Sequence, residues 1–112
     1  MPALLALGLV ACSNNRSANP SAALESAFRS SDAGTKLHVE RARDAMEKES
    51  YTEAMLTLKR VLNQGKVTPE QRQAVSTAVG HVMKAIDRNP QIDNPVLHQI
   101  MAELILKAHG EN

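Results

Sequence analysis

Besides Asn89-Pro90, which ends a predicted helix, three pairs of a capping residue followed by proline indicate where helices of this chain begin. They are Asn19-Pro20, Thr68-Pro69 and Asn94-Pro95. An Asn or Thr side chain at the N-cap accepts a hydrogen bond from a first-turn amide, and proline suits the first helical position because it has no amide hydrogen to satisfy. Gln71, at the third helical position, strengthens the Thr68 start. Each pair therefore predicts a helix.

Apolar residues follow these starts at helical spacing, and no segment alternates as a strand would. The sequence predicts four main helices: one over about 36–48, one from Tyr51 to a stop at Gly65, one from Pro69 to before Asn89, and one from Pro95 to a stop at Gly110. Ser50 and Glu53 have capping-box spacing at the second start. We expect an all-α fold, with the four helices forming two antiparallel hairpins or a small helical bundle.

The composition limits the core and the possible partners. The only aromatic residues are Phe28 and Tyr51, so the core must be aliphatic, which favours helices over sheets. One Cys cannot form an internal disulfide. Thirteen basic and twelve acidic residues give a net charge of +1, which argues against a nucleic-acid binder with its basic patch.

The segment before the helices has the composition of an export signal. Residues 2–11 are apolar, but as a helix they would cover only about 15 Å, half of a bilayer core. Such a length suits the apolar region of a secretory signal. The structural alternative is a buried apolar segment that carries an inert Cys12.

Leu9-Val10-Ala11-Cys12 resembles a bacterial lipobox. The resemblance implies cleavage before Cys12 and lipid attachment to this cysteine, which would anchor the chain in a membrane; several acyl chains hold more firmly than one. No Lys or Arg precedes the apolar run, which departs from the family pattern. By the same resemblance, Ser13 in place of Asp after the cysteine implies the outer membrane, facing the periplasm. We therefore expect a signal at 1–11, a lipidated cysteine with a flexible tether at 12–35, and a helical domain at 36–112.

A short helix inside that tether is also indicated. Asn19 would cap it, Pro20 would begin it, and Leu24 and Phe28 lie four residues apart on one face. Residues 30–35 would end it.

The first two main helices resemble a tetratricopeptide unit. Ala42 falls at the small position of the first helix, and Tyr51, Ala54 and Leu58 match the aromatic, small and large positions of the second. His38, Arg41 and Val61 depart from the pattern. Because repeat proteins need about three units for stability, we expect TPR-like hairpins and not a solenoid; a plain four-helix bundle is the alternative.

No pattern in the sequence indicates catalysis, a cofactor or a metal. His38, His81, His98 and His109 lack the i, i+3 or i, i+4 spacing of helical metal ligands. No glycine-flanked serine nucleophile and no phosphate-binding glycine loop occurs. We expect a protein that is not an enzyme.

The apolar arc of the last predicted helix is about 180° wide, whereas a helix that packs on one neighbour needs nearer 100°. We therefore predict a partner surface there, comprising Leu97, Met101, Leu104 and Ile105. The Leu24/Phe28 segment or a second copy of the chain could instead cover the apolar surface that one neighbouring helix would leave exposed.

The sequence thus predicts an envelope lipoprotein whose domain serves protein–protein interaction or assembly. Two alternatives stay open: a small-ligand or metal carrier that uses the helix interior and the histidines, and a purely structural envelope lipoprotein.

Overall fold

The computed structural model describes residues 19–109, which form five α-helices and no strand. The helices are α1 (Pro20–Ala27), α2 (Ala33–Glu47), α3 (Tyr51–Asn63), α4 (Pro69–Arg88) and α5 (Pro95–Ala108), with a 3₁₀ helix at Pro90–Ile92. The all-α prediction is confirmed. The predicted signal segment, lipobox and Cys12 lie outside the described residues.

The three proline starts form as the sequence predicts. The side-chain oxygens of Asn19 and Asn94 accept hydrogen bonds from first-turn amides, from Leu97 N–H at 2.8 Å in the case of Asn94. Thr68 and Gln71 complete a reciprocal capping box, with both hydrogen bonds at 3.0 Å. These helix starts could be predicted from the sequence because every capping hydrogen bond joins residues at most three positions apart.

The capping box predicted at Ser50 is wrong, since the Ser50 side chain makes no capping hydrogen bond. The connection from α2 to α3 closes instead through the backbone: Ser50 N–H donates to the carbonyl of Ala45 at 2.8 Å, and Glu49 N–H donates to that of Met46 at 3.1 Å. This closure leaves Glu49 with a φ of 61°, in the left-handed region.

The five helices pack in a ring. In space their order is α1, α2, α3, α5, α4 and back to α1, and α3 and α4 touch only slightly across it. Thr35 near the start of α2 reaches Gln64 at the end of α3, so this pair is antiparallel. Thr52 contacts Asn94 and Lys59 contacts Glu103, so α3 and α5 run parallel.

The core fills the centre of this ring with aliphatic side chains, together with Phe28 and Tyr51. Met55, Leu58, Val75 and Val82 are fully buried. The aliphatic core predicted from the scarcity of aromatics is therefore the observed one.

Helix α1 is an integral part of the ring, which corrects the expectation of a flexible tether up to residue 35. Leu24 and Phe28 are 0 % and 2 % exposed and pack between α2 and α4. Arg43 of α2 donates from Nε to Ser21 Oγ at 2.9 Å. The short helical pattern seen in the sequence is confirmed, and its apolar pair belongs to the core.

Candidate interaction surface

The residues predicted as a partner surface lie mostly inside the chain. Leu97, Met101 and Leu104 are buried, and Ile105 is half-buried against the core. The reason is that α5 packs on two neighbours, α3 and α4, and so needs a wider apolar arc than a helix with one neighbour. The described chain itself buries these three side chains.

Exposed large apolar side chains occur elsewhere in the described part of the chain. They are Leu37, Leu56, Met83, Val96 and Leu106. Single exposed apolar side chains are common on protein surfaces. An exposed apolar side chain that lines a depression together with other apolar groups indicates a candidate contact site. Leu56 meets this condition.

Leu56 lines a shallow depression of about 600 Å³ at the α2–α3 turn, which we name the turn depression. Its walls come from the turn, from the first two turns of α3 and from the 3₁₀ helix: Glu49, Ser50, Tyr51, Thr52, Glu53, Leu56 and Ile92. Most of its accessible lining is apolar. Leu56 lies one turn after Thr52, so the two side chains share the outer face of α3.

Tyr51 forms the wall closest to the core. Its side chain is 7 % exposed, and its ring meets that of His81 edge-on at a centroid distance of 6.3 Å. Burial raises the pKa of the Tyr51 hydroxyl, and the charge of Glu49 adds to the increase, while Arg88 opposes it. Tyr51 is therefore a neutral, buried wall of the turn depression.

Two carboxylates, Glu49 and Glu53, lie at the rim of the turn depression. No Lys or Arg is among its described lining residues. The nearest cation along the chain, Lys48, is held by Asp44 at 3.0 Å; this hydrogen bond raises the pKa of the Lys48 ammonium, with smaller contributions from the charges of Asp44 and Glu53. The rim is thus acidic around an apolar floor.

The backbone at Glu49 is strained. A non-glycine residue in the left-handed region costs about 1–2 kcal/mol, and glycine is the usual occupant of this position after a helix. Here the position carries a side chain, and this side chain lines the turn depression. Because such outliers persist where the surrounding structure holds them, Glu49 is a candidate functional residue.

The histidines do not form a metal site within residues 19–109, where no group of three or more His, Cys, Asp or Glu could hold an ion. His98 Nε2 pairs with Asp93 Oδ2 at 2.9 Å, and the ring of His81 meets that of Tyr51 edge-on. The metal-carrier alternative therefore has no site in the described part of the chain.

Sequence reasoning missed the turn depression. In the sequence, Ser50 and Glu53 indicated a helix start, and Tyr51 indicated a core residue and the aromatic position of a TPR-like unit. No pattern joined the three residues into one surface. A signal was available in Leu56, a large apolar residue one position after the apolar stripe at Met55. Its exposure depends on where the 3₁₀ helix lies, which no local pattern specifies.

Neither a protein-family model, nor a curated protein, nor a solved structure matches this chain. Within the described residues, no helix combines the length and the apolar character that crossing a bilayer requires.

Proposed function

We propose that the protein is a bacterial envelope lipoprotein, anchored through Cys12 at the periplasmic face of the outer membrane, whose helical domain docks another protein. The observation that carries the docking role is the turn depression, an exposed apolar floor with two carboxylates at its rim. Convergent apolar surface with a few polar groups is typical of binding sites. Catalysis is not part of the proposal.

The anchor is supported by the sequence. A ten-residue apolar run ends at the only cysteine and changes at once to Ser, Asn and Arg. The described domain then begins at Asn19, so a short segment joins the cysteine to α1. Anchoring by acyl chains would leave the domain beside the membrane surface.

Mass spectrometry of the protein purified from the envelope tests the anchor. We expect a mature chain that starts at Cys12 and carries added lipid mass, and we expect Cys12→Ala to leave uncleaved precursor. Ser13→Ala, one position later, should be processed normally. An unmodified peptide starting at Met1 on the envelope-localised protein would contradict the anchor.

The α2–α3 hairpin further supports an interaction module of the TPR-like kind. Ala42 and Ala54, at the small positions of that pattern, are both 0 % exposed, as is Leu58 at the large position. Small side chains allow two helix backbones to approach closely. We propose a single degenerate TPR-like unit within a five-helix ring, in which α1 also takes part.

Site-specific photocrosslinking in cells tests the docking role. A photoreactive residue at position 56 should give one recurrent protein adduct, and the adduct should be lost when Glu49→Gln and Glu53→Gln are added. Position 83 is a matched control, because Met83 is 47 % exposed but does not line the turn depression. Equal adducts from both positions, or adducts that ignore the two carboxylates, would exclude the depression as the docking site.

A further inference from the structure

The described chain begins at the same end of the molecule as the turn depression. Asn19 and Pro20 line one depression together with Met46 and His81. The ring of His81 meets that of Tyr51, which is a wall of the turn depression. The start of α1, the α2–α3 turn and the 3₁₀ helix thus share one end of the ring, which we name the anchor end.

The distance from this end to the proposed lipid is short. Seven residue steps separate Cys12 from Asn19, and an extended chain covers at most about 3.6 Å per step, or roughly 25 Å. A domain anchored at Cys12 therefore holds the turn depression close to the membrane surface. A segment docked in the depression must therefore also lie close to the membrane surface.

The charge of the rim limits which segment can dock. Glu49 and Glu53 flank a floor that includes Leu56 and Ile92. A Lys or Arg side chain could pair with either carboxylate while its own aliphatic stem, or a neighbouring apolar residue, covers the floor. An acidic segment would place like charges together, which is unfavourable.

The backbone conformation of Glu49 agrees with a role of this charge. Glu49 has a φ of 61°, a conformation in which glycine would be less strained. Glycine would also remove one of the two rim carboxylates. A contact between this carboxylate and a ligand would account for a glutamate at the strained position.

We propose that the turn depression binds the juxtamembrane segment of a membrane-embedded protein, in which Lys or Arg stands next to large apolar residues. The partner class follows from the apolar floor, from the acidic rim and from the short reach to the lipid. The juxtamembrane location rests on the proposed anchor, whereas recognition of a basic, apolar peptide does not.

Fluorescence anisotropy with the full-length protein in neutral detergent tests recognition. The probe is a labelled peptide that alternates Lys with Leu, compared with the same peptide carrying Glu in place of Lys. We expect the basic peptide to bind at least tenfold more tightly, with an affinity that falls as salt rises. Equal affinity for the two peptides would overturn the proposal.

Charge-neutral variants locate the binding site. Glu49→Gln combined with Glu53→Gln should weaken binding of the basic peptide about three- to tenfold. Glu70→Gln, an exposed carboxylate on α4 that does not line the depression, should leave it unchanged. An unchanged affinity in the double variant, or an equal loss in the Glu70 variant, would overturn the site.

Other occupants give distinguishable results. Dimers of the unmodified protein that dissociate in the Glu49/Glu53 double variant would show that a second copy fills the depression. Binding of the Cys12→Ala variant to anionic vesicles that carry no peptide would indicate that the depression binds a lipid surface. Either result would overturn the proposal.

Cys12→Ala should keep peptide binding in solution. In vesicles that hold the lipidated protein, a photoreactive residue at position 56 should crosslink to the peptide when it directly follows a membrane span. Crosslinking should be lost when a rigid spacer holds the peptide well beyond the roughly 25 Å reach of the segment before Asn19. Equal crosslinking with and without the spacer would overturn the juxtamembrane location.

Discussion

The anchor end and the opposite end of the ring differ in how the backbone groups at their helix termini are hydrogen-bonded. At the opposite end, which we name the capped end, Gln71 Nε2 donates to the carbonyl of Ala27 at 3.2 Å and lies 3.4 Å from Ser31 Oγ. Asp32 accepts hydrogen bonds from both the amide and the hydroxyl of Thr35. Side chains there satisfy the helix termini and join α1 to α4.

The anchor end lacks this side-chain capping at its central turn. Ser50 forms no capping hydrogen bond, Glu49 is strained, and Leu56 is 38 % exposed. Asn19 and Asn94 do cap helices at the anchor end, so the difference is confined to the α2–α3 turn. It indicates that the capped end contributes stability, while this turn offers a surface at some cost in stability. The predictions below test this contrast, from the largest expected effect to the smallest.

The largest effect should come from Phe28, which joins α1 to the core near the capped end. Phe28→Ala should lower the free energy of unfolding by about 3–5 kcal/mol, because it leaves a cavity where a large buried side chain stood. Leu56→Ala at the anchor end should cost less than about 1 kcal/mol. Urea unfolding followed by circular dichroism measures both, and similar losses would contradict the contrast.

The two N-caps provide a closer comparison. Thr68→Ala removes a capping-box hydrogen bond and should destabilise the protein by about 1 kcal/mol. Ser50→Ala should change the stability by less than about 0.5 kcal/mol, because no hydrogen bond is lost there. Thermal unfolding of the two variants in parallel gives the difference. A larger loss at Ser50 would show that the anchor end is capped in solution.

Relief of strain should act in the opposite direction. Glu49→Gly should raise the free energy of unfolding by roughly 0.5–1 kcal/mol, since glycine adopts the left-handed conformation freely but gains entropy in the unfolded chain. Glu49→Ala keeps the strain and is the matched control. If Glu49 serves binding, the more stable glycine variant should also bind the basic peptide more weakly. A glycine variant that is more stable and also binds the basic peptide more tightly would exclude a binding role of the Glu49 side chain.

The smallest effect should appear in the pH dependence of the capped end. The hydroxyl of Thr35, and then its amide, lower the pKa of Asp32 below its usual value of 3.8. A lowered folded-state pKa contributes stability above the usual value, and this stability is lost as the pH falls below it. Asp32→Asn should therefore flatten the loss of stability as the pH falls below about 4, as measured by acid unfolding, relative to the unmodified protein. An unchanged slope would contradict the role of this carboxylate.

The sequence allowed a large part of the fold to be predicted and little of the candidate site. The proline starts at Asn19, Thr68 and Asn94 were predicted correctly, because a cap and its partner lie within a few residues. The start of α2 was predicted three residues late, since the Asp32 cap was not recognised. The turn depression depends on a left-handed Glu49 and on a distant 3₁₀ helix, and neither leaves a local signature.

The last helix shows the same limit on a larger scale. Its apolar arc correctly indicated more contact than one neighbour provides, yet the second neighbour proved to be another helix of the same chain. Periodicity gives the width of an apolar face but not the identity of whatever covers it.

By itself, the sequence determined the all-α class, an aliphatic core and most helix starts, because these follow from hydrogen bonds and side-chain spacing within a turn or two. The tertiary structure alone decided that α1 closes the ring, that Leu97, Met101 and Leu104 are core residues, and that Leu56 faces a depression. These outcomes depend on which faces meet across long separations in the chain, where the burial of apolar surface selects among arrangements that are equivalent locally.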